Sequence, residues 1–266
     1  MGNKFEYDDI QNIIKNFFNS DDPDDLINNL EKLIIEETKK IILNILNKKP
    51  SIKIGNTGRI GAQISQWIQD EFVNYIKINK PLFFKNPESS PSKKTKSNWD
   101  AKFLFSIKNI LEIPIWIDFK TFKKNYNDSN PDMGTPNKFF DFLLNENGFY
   151  IMFIYLFYES VEDQINFINY DKKNKIKIYF LKDISSSFRR NPKNQIQVNV
   201  KESPDLRSRK AFIDILIKKL GESYERQIKI AQTAIKKLPE EAQKAIEKNK
   251  KQEKMILDKI KKLKKD

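Results

Sequence analysis

"SNWDAKFLFSIKNILEIPIWIDFKTFKK", residues Ser97 to Lys124, decides the fold. Two apolar runs, 102–108 and 113–120, flank a short polar stretch, and each has the length of a buried strand. In "IPIWIDFKTF" an extended chain sends Ile113, Ile115, Ile117 and Phe119 to one face and Trp116, Asp118 and Lys120 to the other. An acid and a lysine therefore share one face of an apolar strand. Burying either charge unpaired is costly, so the two need each other, a metal or a solvated cleft. Asp100 precedes the first run, and a hairpin between the runs returns the second strand beside it. Two carboxylates and a lysine can then converge.

A third acid comes from "IGNTGRIGAQISQWIQDEFVNYI", where Gly55, Gly58 and Gly61 mark a tight turn before a helix. At helical spacing Ile60, Ile64, Trp67, Ile68, Phe72 and Tyr75 form an apolar arc that takes in Glu71 and leaves Asp70 outside. Glu71 is expected to face the core. The same segment lacks the Lys-Ser/Thr of a phosphate-binding P-loop and follows no strand of a dinucleotide fold.

Working outward, "DDPDDLINNLEKLIIEETKKIILNIL" reads as a helix with Asp21 or Asp22 as N-cap and Pro23 in its first turn. "KNPESSPSKKTKSN" reads as a basic loop. Further strands are expected at 149–158, 176–181 and 195–200, and helices over "NKFFDFLLNE" and from Ser208 onward. Helix, strands, helix, strands, helix is the order of an α/β fold around a mixed sheet. Beyond residue 240 a broken seven-residue pattern runs through Ala242, Ile246, Asn249, Glu253, Ile256, Ile260 and Leu263.

Composition narrows the chemistry. The 266 residues contain no Cys and no His. Disulfides, thiolate zinc sites, cysteine nucleophiles, histidine bases and histidine metal ligands are excluded, leaving carboxylates, Lys, Arg, Tyr or a hard metal ion. Formal net charge is +13, which favours a polyanionic partner. Abundant Lys and Asn would also follow from A/T-rich coding alone. "MGNKFEYDDI" has acids where a signal peptide has positive charge, and no apolar run is long enough for a membrane span. A soluble protein of the reducing cytoplasm is expected.

An inward Glu, an Asp before one strand and an Asp-X-Lys on the next form the layout of a hard-metal phosphodiesterase, with a structural ion-pair cluster as the alternative. At these residues the chain resembles the SwaI-like Type II restriction endonucleases of the PD-(D/E)XK nuclease superfamily. The blocks carrying the resemblance are "GRIGAQISQWIQDEFVNYI", "KTKSNWDAKF", "IWIDFKTFK", "DSNPDMGTPNK", "GFYIMFIYLFYE", "LKDISSSFRRNPKNQIQVNV" and "SYERQIK". The sequence has Trp-Asp where the motif name has Pro-Asp. By resemblance Asp100 is the first motif acid, Asp118 the second and Lys120 the lysine. The fold implied is a PD-(D/E)XK endonuclease-like core over 51–238; residues 1–50, a helical extension, and 239–266, a basic helical tail, look like additions of which the resemblance says nothing.

The resemblance implies Mg²⁺, with Mn²⁺ able to substitute, held by Asp100, Asp118 and the Phe119 carbonyl, with Glu71 either bonded to the ion's ligands or holding a second ion. The implied substrate is double-stranded DNA at an A/T-rich palindrome, cut by a homodimer, with a partner methyltransferase completing a restriction-modification system. Sequence reading is expected from Arg189, Arg190, Asn194, Gln195 and Gln197, since Asn and Gln pair bidentately with adenine. A second loop offers Lys123, Lys124, Asn130 and Asn137. Two other classes remain: a relative acting in DNA repair or on RNA, and a non-catalytic nucleic-acid binder.

Overall fold

The structure, a computed structural model, describes residues 12, 15, 18–53, 60–91, 99–123, 131–145, 148–171, 174–191 and 195–263. Gly55 and Gly58 of the glycine cluster lie outside them.

Helix α1 (Pro23–Lys48) starts at Asp22, whose Oδ1 accepts the backbone N–H of Asp24 at 2.8 Å and of Asp25 at 3.2 Å. Strand β1 (Ser51–Lys53), helix α2 (Ile60–Asn79) and strands β2 (Phe84–Ser89), β3 (Ala101–Ile107) and β4 (Leu111–Lys123) follow. Next come β5 (Asp132–Gly134), α3 (Pro136–Asn145), β6 (Ile151–Val161), β7 (Gln164–Phe167) and β8 (Ile176–Phe180). Two short strands, β9 (Arg189–Arg190) and β10 (Ile196–Gln197), precede α4 (Arg209–Leu263).

The main sheet has seven strands in the order β1-β7-β6-β4-β3-β2, with β8 also pairing β6. Among the described strands only β4 and β6 run parallel, in the register Asp118↔Phe153 and Lys120↔Tyr155. The parallel step needs a crossover, and α3 lies in that connection. The expected hairpin is present, with Ala101 opposite Ile117. Its turn places Lys108 and Asn109 at φ 52° and 58°, the left-handed pair of a primed turn. The sheet is mixed and the class is α/β, as the sequence implies.

One stretch departs from expectation. Phe84–Ser89, which overlaps the start of what reads as a basic loop, is an edge strand on β3. Pro87 is tolerated because an edge residue needs no outward ladder bond, and the register shift between Lys85 and Glu88 absorbs Asn86 at φ 48°. Residues 195–200 supply only the two strand residues of β10.

The odd-numbered face of β4 is buried under α2. Phe72 meets Phe103 at 5.9 Å and Phe119 at 6.2 Å, and Ile64, Ile68 and Val73 complete the contact. Helix α1, in the segment expected as an extension, adds Leu33, Ile34, Ile42 and Leu46 to the same cluster. Its Glu31 reaches the buried Lys182 at 2.9 Å, which also pairs with Asp183 at 2.8 Å. The opposite face of β4 meets α3, where Phe142 packs edge-on against Trp116 at 5.0 Å.

Contacts divide the chain into Met1–Ile215 and Leu216–Asp266. The second unit continues α4, which passes through Pro239 without a break and exposes Ile228, Ile235, Ile246 and Ile256 along its length. Among the described residues no helix is long and apolar enough to cross a membrane.

Candidate active site

β3 begins at Ala101, so the second half of β4 runs on past its antiparallel neighbour. Asp100 sits at that step. Its N–H donates to Ile117 O at 2.7 Å, its carbonyl accepts Ser90 N–H at 2.7 Å, and its Oδ2 accepts the N–H of Phe119 at 2.8 Å. A side-chain oxygen thus continues the ladder where the strand stops.

Asp118 is on the expected face and only 7% exposed. Lys120, two residues on, reaches its Oδ2 at 2.9 Å. Between them the Phe119 carbonyl accepts the Ser65 hydroxyl of α2 at 3.3 Å. One turn earlier Gly61 lets the helix close on β4: its carbonyl accepts the Thr121 hydroxyl at 3.3 Å, and a Cβ there would stand 2.8 Å from Thr121 Oγ1.

Asp100, Asp118 and Lys120 open onto one polar cleft of ≈ 220 Å³, shared with Trp99, Asp132, Lys138 and Gln195. Burial pushes the Asp100 carboxyl up to about 7; the nearby Asp118 adds to the shift, while the Phe119 N–H and Lys120 oppose it. Asp118 is likewise raised by burial, with Lys120 pulling the other way. The cleft's three acids, Asp100, Asp118 and Asp132, outnumber its two lysines, Lys120 and Lys138, so a cation would relieve their crowding.

Glu71 is not part of this cleft, which corrects the expectation that it faces the core. Its Oε1 pairs with Lys49 at 2.5 Å, and its side chain keeps 30% of its surface. The buried side of α2 runs through Ile68, Gln69, Phe72 and Val73, and Glu71 lies at the rim of that arc. The α2 residue that does reach the strand backbone is Ser65, which the apolar pattern passed over. Lys138 and Asp132 were missed as well. Lys138 follows from "PDMGTPNK" starting a helix at Pro136, which puts it in the first turn with its N–H on Thr135 Oγ1 at 3.4 Å, whereas Asp132 is placed by the short strand β5.

The expected DNA contacts divide. Gln195 lines the cleft, and Arg189, Arg190 and Gln197 lie on the three-stranded sheet β5-β10-β9. Asn137 is exposed on α3. Lys123 is exposed too, but it borders a different cavity, with Phe122, Phe157 and Lys177. Lys124, Asn130 and Asn194 lie outside the described residues. The segment after β10 is held by side chains: Lys177 donates to Val200 O at 2.8 Å and to Glu202 O, and the Ser185 and Ser187 hydroxyls donate to the Glu202 carboxylate.

The model of the SwaI-like family, described as SwaI restriction endonuclease, matches residues 26–238. The chain belongs to that restriction endonuclease family. Its fold is also similar to a solved structure of NlaIV restriction endonuclease, at 11% identity and a TM-score of 0.45, over 69% of this chain and 78% of that one. No curated protein matches the chain.

Proposed function

We propose that this chain is a Type II restriction endonuclease of the PD-(D/E)XK kind, hydrolysing double-stranded DNA at an A/T-rich palindrome with Mg²⁺, for which Mn²⁺ can substitute. The observation that carries the reading is the convergence of Asp100, Asp118 and Lys120 in one polar cleft.

The donor set suits a hard cation. Among the described residues no group of three or more His, Cys, Asp or Glu is placed to hold a metal ion. Two carboxylates and a backbone carbonyl are nonetheless an oxygen-only set, and Mg²⁺ is commonly held by one or two carboxylates with waters and substrate phosphate. Asp100, Asp118 and the Phe119 carbonyl would hold it. When bound, the ion polarises the scissile phosphate and lowers the pKa of a bound water.

The chain's own groups do the rest. The Phe119 N–H fixes which way the Asp100 carboxylate points. Ser65 holds the carbonyl of the same residue. Lys120 is tethered by Asp118, and from there it orients the attacking water and offsets charge on phosphorus. Gln195, Gln197, Arg189 and Arg190 read the target, with Asn194, Lys123, Lys124, Asn130 and Asn137 as further DNA contacts.

A palindrome presents two equivalent phosphates, which is the reason for a homodimer. The proposed setting is cytoplasmic, with residues 1–50 and 239–266 as extensions of the core. A chain ending at Leu238 should still cleave at low salt.

Incubation with a long A/T-rich duplex and Mg²⁺ tests the reading. Discrete bands support it. A smear points to a repair or RNA-directed relative, and no cleavage points to a binding protein.

A further inference from the structure

Beyond the catalytic cleft, a second cavity of ≈ 790 Å³ reaches Phe122 and Lys123 at the end of β4, and no residue lines both. Its volume falls in the range of about 300–1,000 Å³ in which small molecules are held. One wall is a row of rings: Phe122 stacks on Phe157 at 5.6 Å, and Phe157 meets Tyr170 at 5.0 Å. Ile35 of α1, Ile168 and Ile178 extend the apolar lining.

Lys177 of β8 belongs to this lining and is only 8% exposed. Its ammonium donates to Val200 O at 2.8 Å and to Glu202 O, and lies 5.9 Å from the Tyr179 ring centre. Both carbonyls are neutral, and a ring face attracts a cation without supplying a countercharge. Among the described residues no carboxylate stands at ion-pair distance from it. Glu202 acts on it electrostatically, yet the Glu202 carboxylate accepts from the Ser185 and Ser187 hydroxyls and from Asn199 Nδ2 at 3.2 Å. Lys182, also buried, differs: two carboxylates meet it at 2.9 Å and 2.8 Å.

Burying an ammonium without a countercharge is costly, and burial accordingly draws the Lys177 pKa down. Three donors on an ammonium, two of them used, leave one for a ligand. The lining also carries more cations than acids: Lys39, Lys123, Lys177 and Lys201 against Glu36 and Asp171. A ring-walled chamber with a net positive lining is complementary to a molecule that has an apolar body and one anionic end.

We propose that this cavity binds a small amphipathic anion, an aliphatic or aromatic body carrying one carboxylate, sulfonate or phosphate, with the charged end at Lys177 and the body on Phe157 and Tyr170. Its test needs no cleavage, so the site and the nuclease reading fail independently.

The probe is anilinonaphthalene sulfonate, an aromatic anion whose fluorescence rises in apolar surroundings, titrated into the full chain in EDTA. Octanoate and octanol, equal in chain length and different in charge, compete for it. The parent should bind the probe saturably, and octanoate should displace it at a roughly tenfold or more lower concentration than octanol, the worth of a hydrogen bond to a charged group. Lys177→Met, which keeps an unbranched side chain and removes the charge, should weaken probe and octanoate by about 10- to 100-fold and leave octanol unchanged. Tyr170→Ala, at a residue 39% exposed, should weaken all three. Octanoate should raise the melting temperature of the parent and not that of Lys177→Met.

Equal displacement by octanoate and octanol overturns the proposal, and so does a parent that does not bind the probe. A probe bound alike by the parent and both variants sits elsewhere, as on the exposed apolar residues of α4, and overturns it too. A short A/T duplex that displaces the probe better than octanoate would give these lysines to DNA phosphate, with the same result. If Lys177→Met melts far below the parent, the octanoate and octanol comparison on the parent and on Tyr170→Ala decides.

Discussion

The Oδ2 of Asp100 accepts the backbone N–H of Phe119, the residue between Asp118 and Lys120, at 2.8 Å. Both acids of the site are thereby fixed to one short piece of β4. The consequence for pH follows from the proton that Asp100 retains.

In the folded chain Asp100 titrates at about 7, against 3.8 for the ordinary side chain. A raised carboxyl pKa means that folding takes up a proton, so this contribution to stability is complete below the unfolded value and is lost as pH rises through about 7. Without divalent ions, the melting temperature of the parent should fall from about pH 5 to about pH 8 more steeply than that of Asp100→Asn. Equal slopes would show that Asp100 is not the group responsible. Both curves come from the same thermal scan.

Asp118 and Lys120 pair at 2.9 Å but should fail in opposite electrostatic senses. On the proposed role Asp118→Ala would remove a metal ligand and a negative charge facing the phosphate, so cleavage should drop by a factor on the order of 10² to 10³ or more while metal-free DNA binding holds or tightens. Lys120→Ala should lose cleavage similarly and bind slightly more weakly. Were the pair purely structural, either change would cost about 3–5 kcal/mol of stability, and binding would fall with folding. Melting, binding in EDTA and cleavage in Mg²⁺ on both variants separate these cases.

Lys182 is 2% exposed and holds Glu31 of α1, Asp183 and the Arg207 carbonyl together. Lys182→Met leaves two buried carboxylates facing each other without their cation, and should destabilise the fold by about 3–5 kcal/mol. Urea unfolding measures it. A loss below about 1 kcal/mol, the range of exposed pairs, would mean that the triad does little to hold α1.

Gly61→Ala tests how closely α2 must approach β4. Alanine ordinarily favours a helix by about 1 kcal/mol over glycine, but here its Cβ would stand 2.8 Å from Thr121 Oγ1. Overpacking costs about 1–3 kcal/mol, so the net change should be a loss of about 1 kcal/mol. Combining it with Thr121→Ala should recover part of that loss. If Gly61→Ala raises the urea midpoint, helix propensity outweighs the clash.

The site was legible in sequence where one strand's alternation decides it. Asp118 and Lys120 share a face because period 2 leaves no choice, and Asp100 lies beside them because the two apolar runs pair as a hairpin. Helix phase was less decisive: Glu71 falls at the rim of an arc, where the Lys49 ammonium draws it outward, while the small polar Ser65 went unnoticed inside it. Asp132 was illegible for a different reason. Its partners lie about sixty residues away, across a three-residue strand too short to announce itself. The edge strand at Phe84–Ser89 was hidden by the Pro and Ser that its exposed position tolerates.

Where β3 stops and Asp100 takes over the ladder, proofreading of assembly and of chemistry become one event. A slip of one residue between β3 and β4 would turn Phe103 and Phe105 out to water and, in the same movement, carry the acid away from Phe119. A chain out of register is thus a chain without a centre, not one that cuts loosely. For an enzyme that hydrolyses DNA, that coupling restrains the half-made protein until its core has closed.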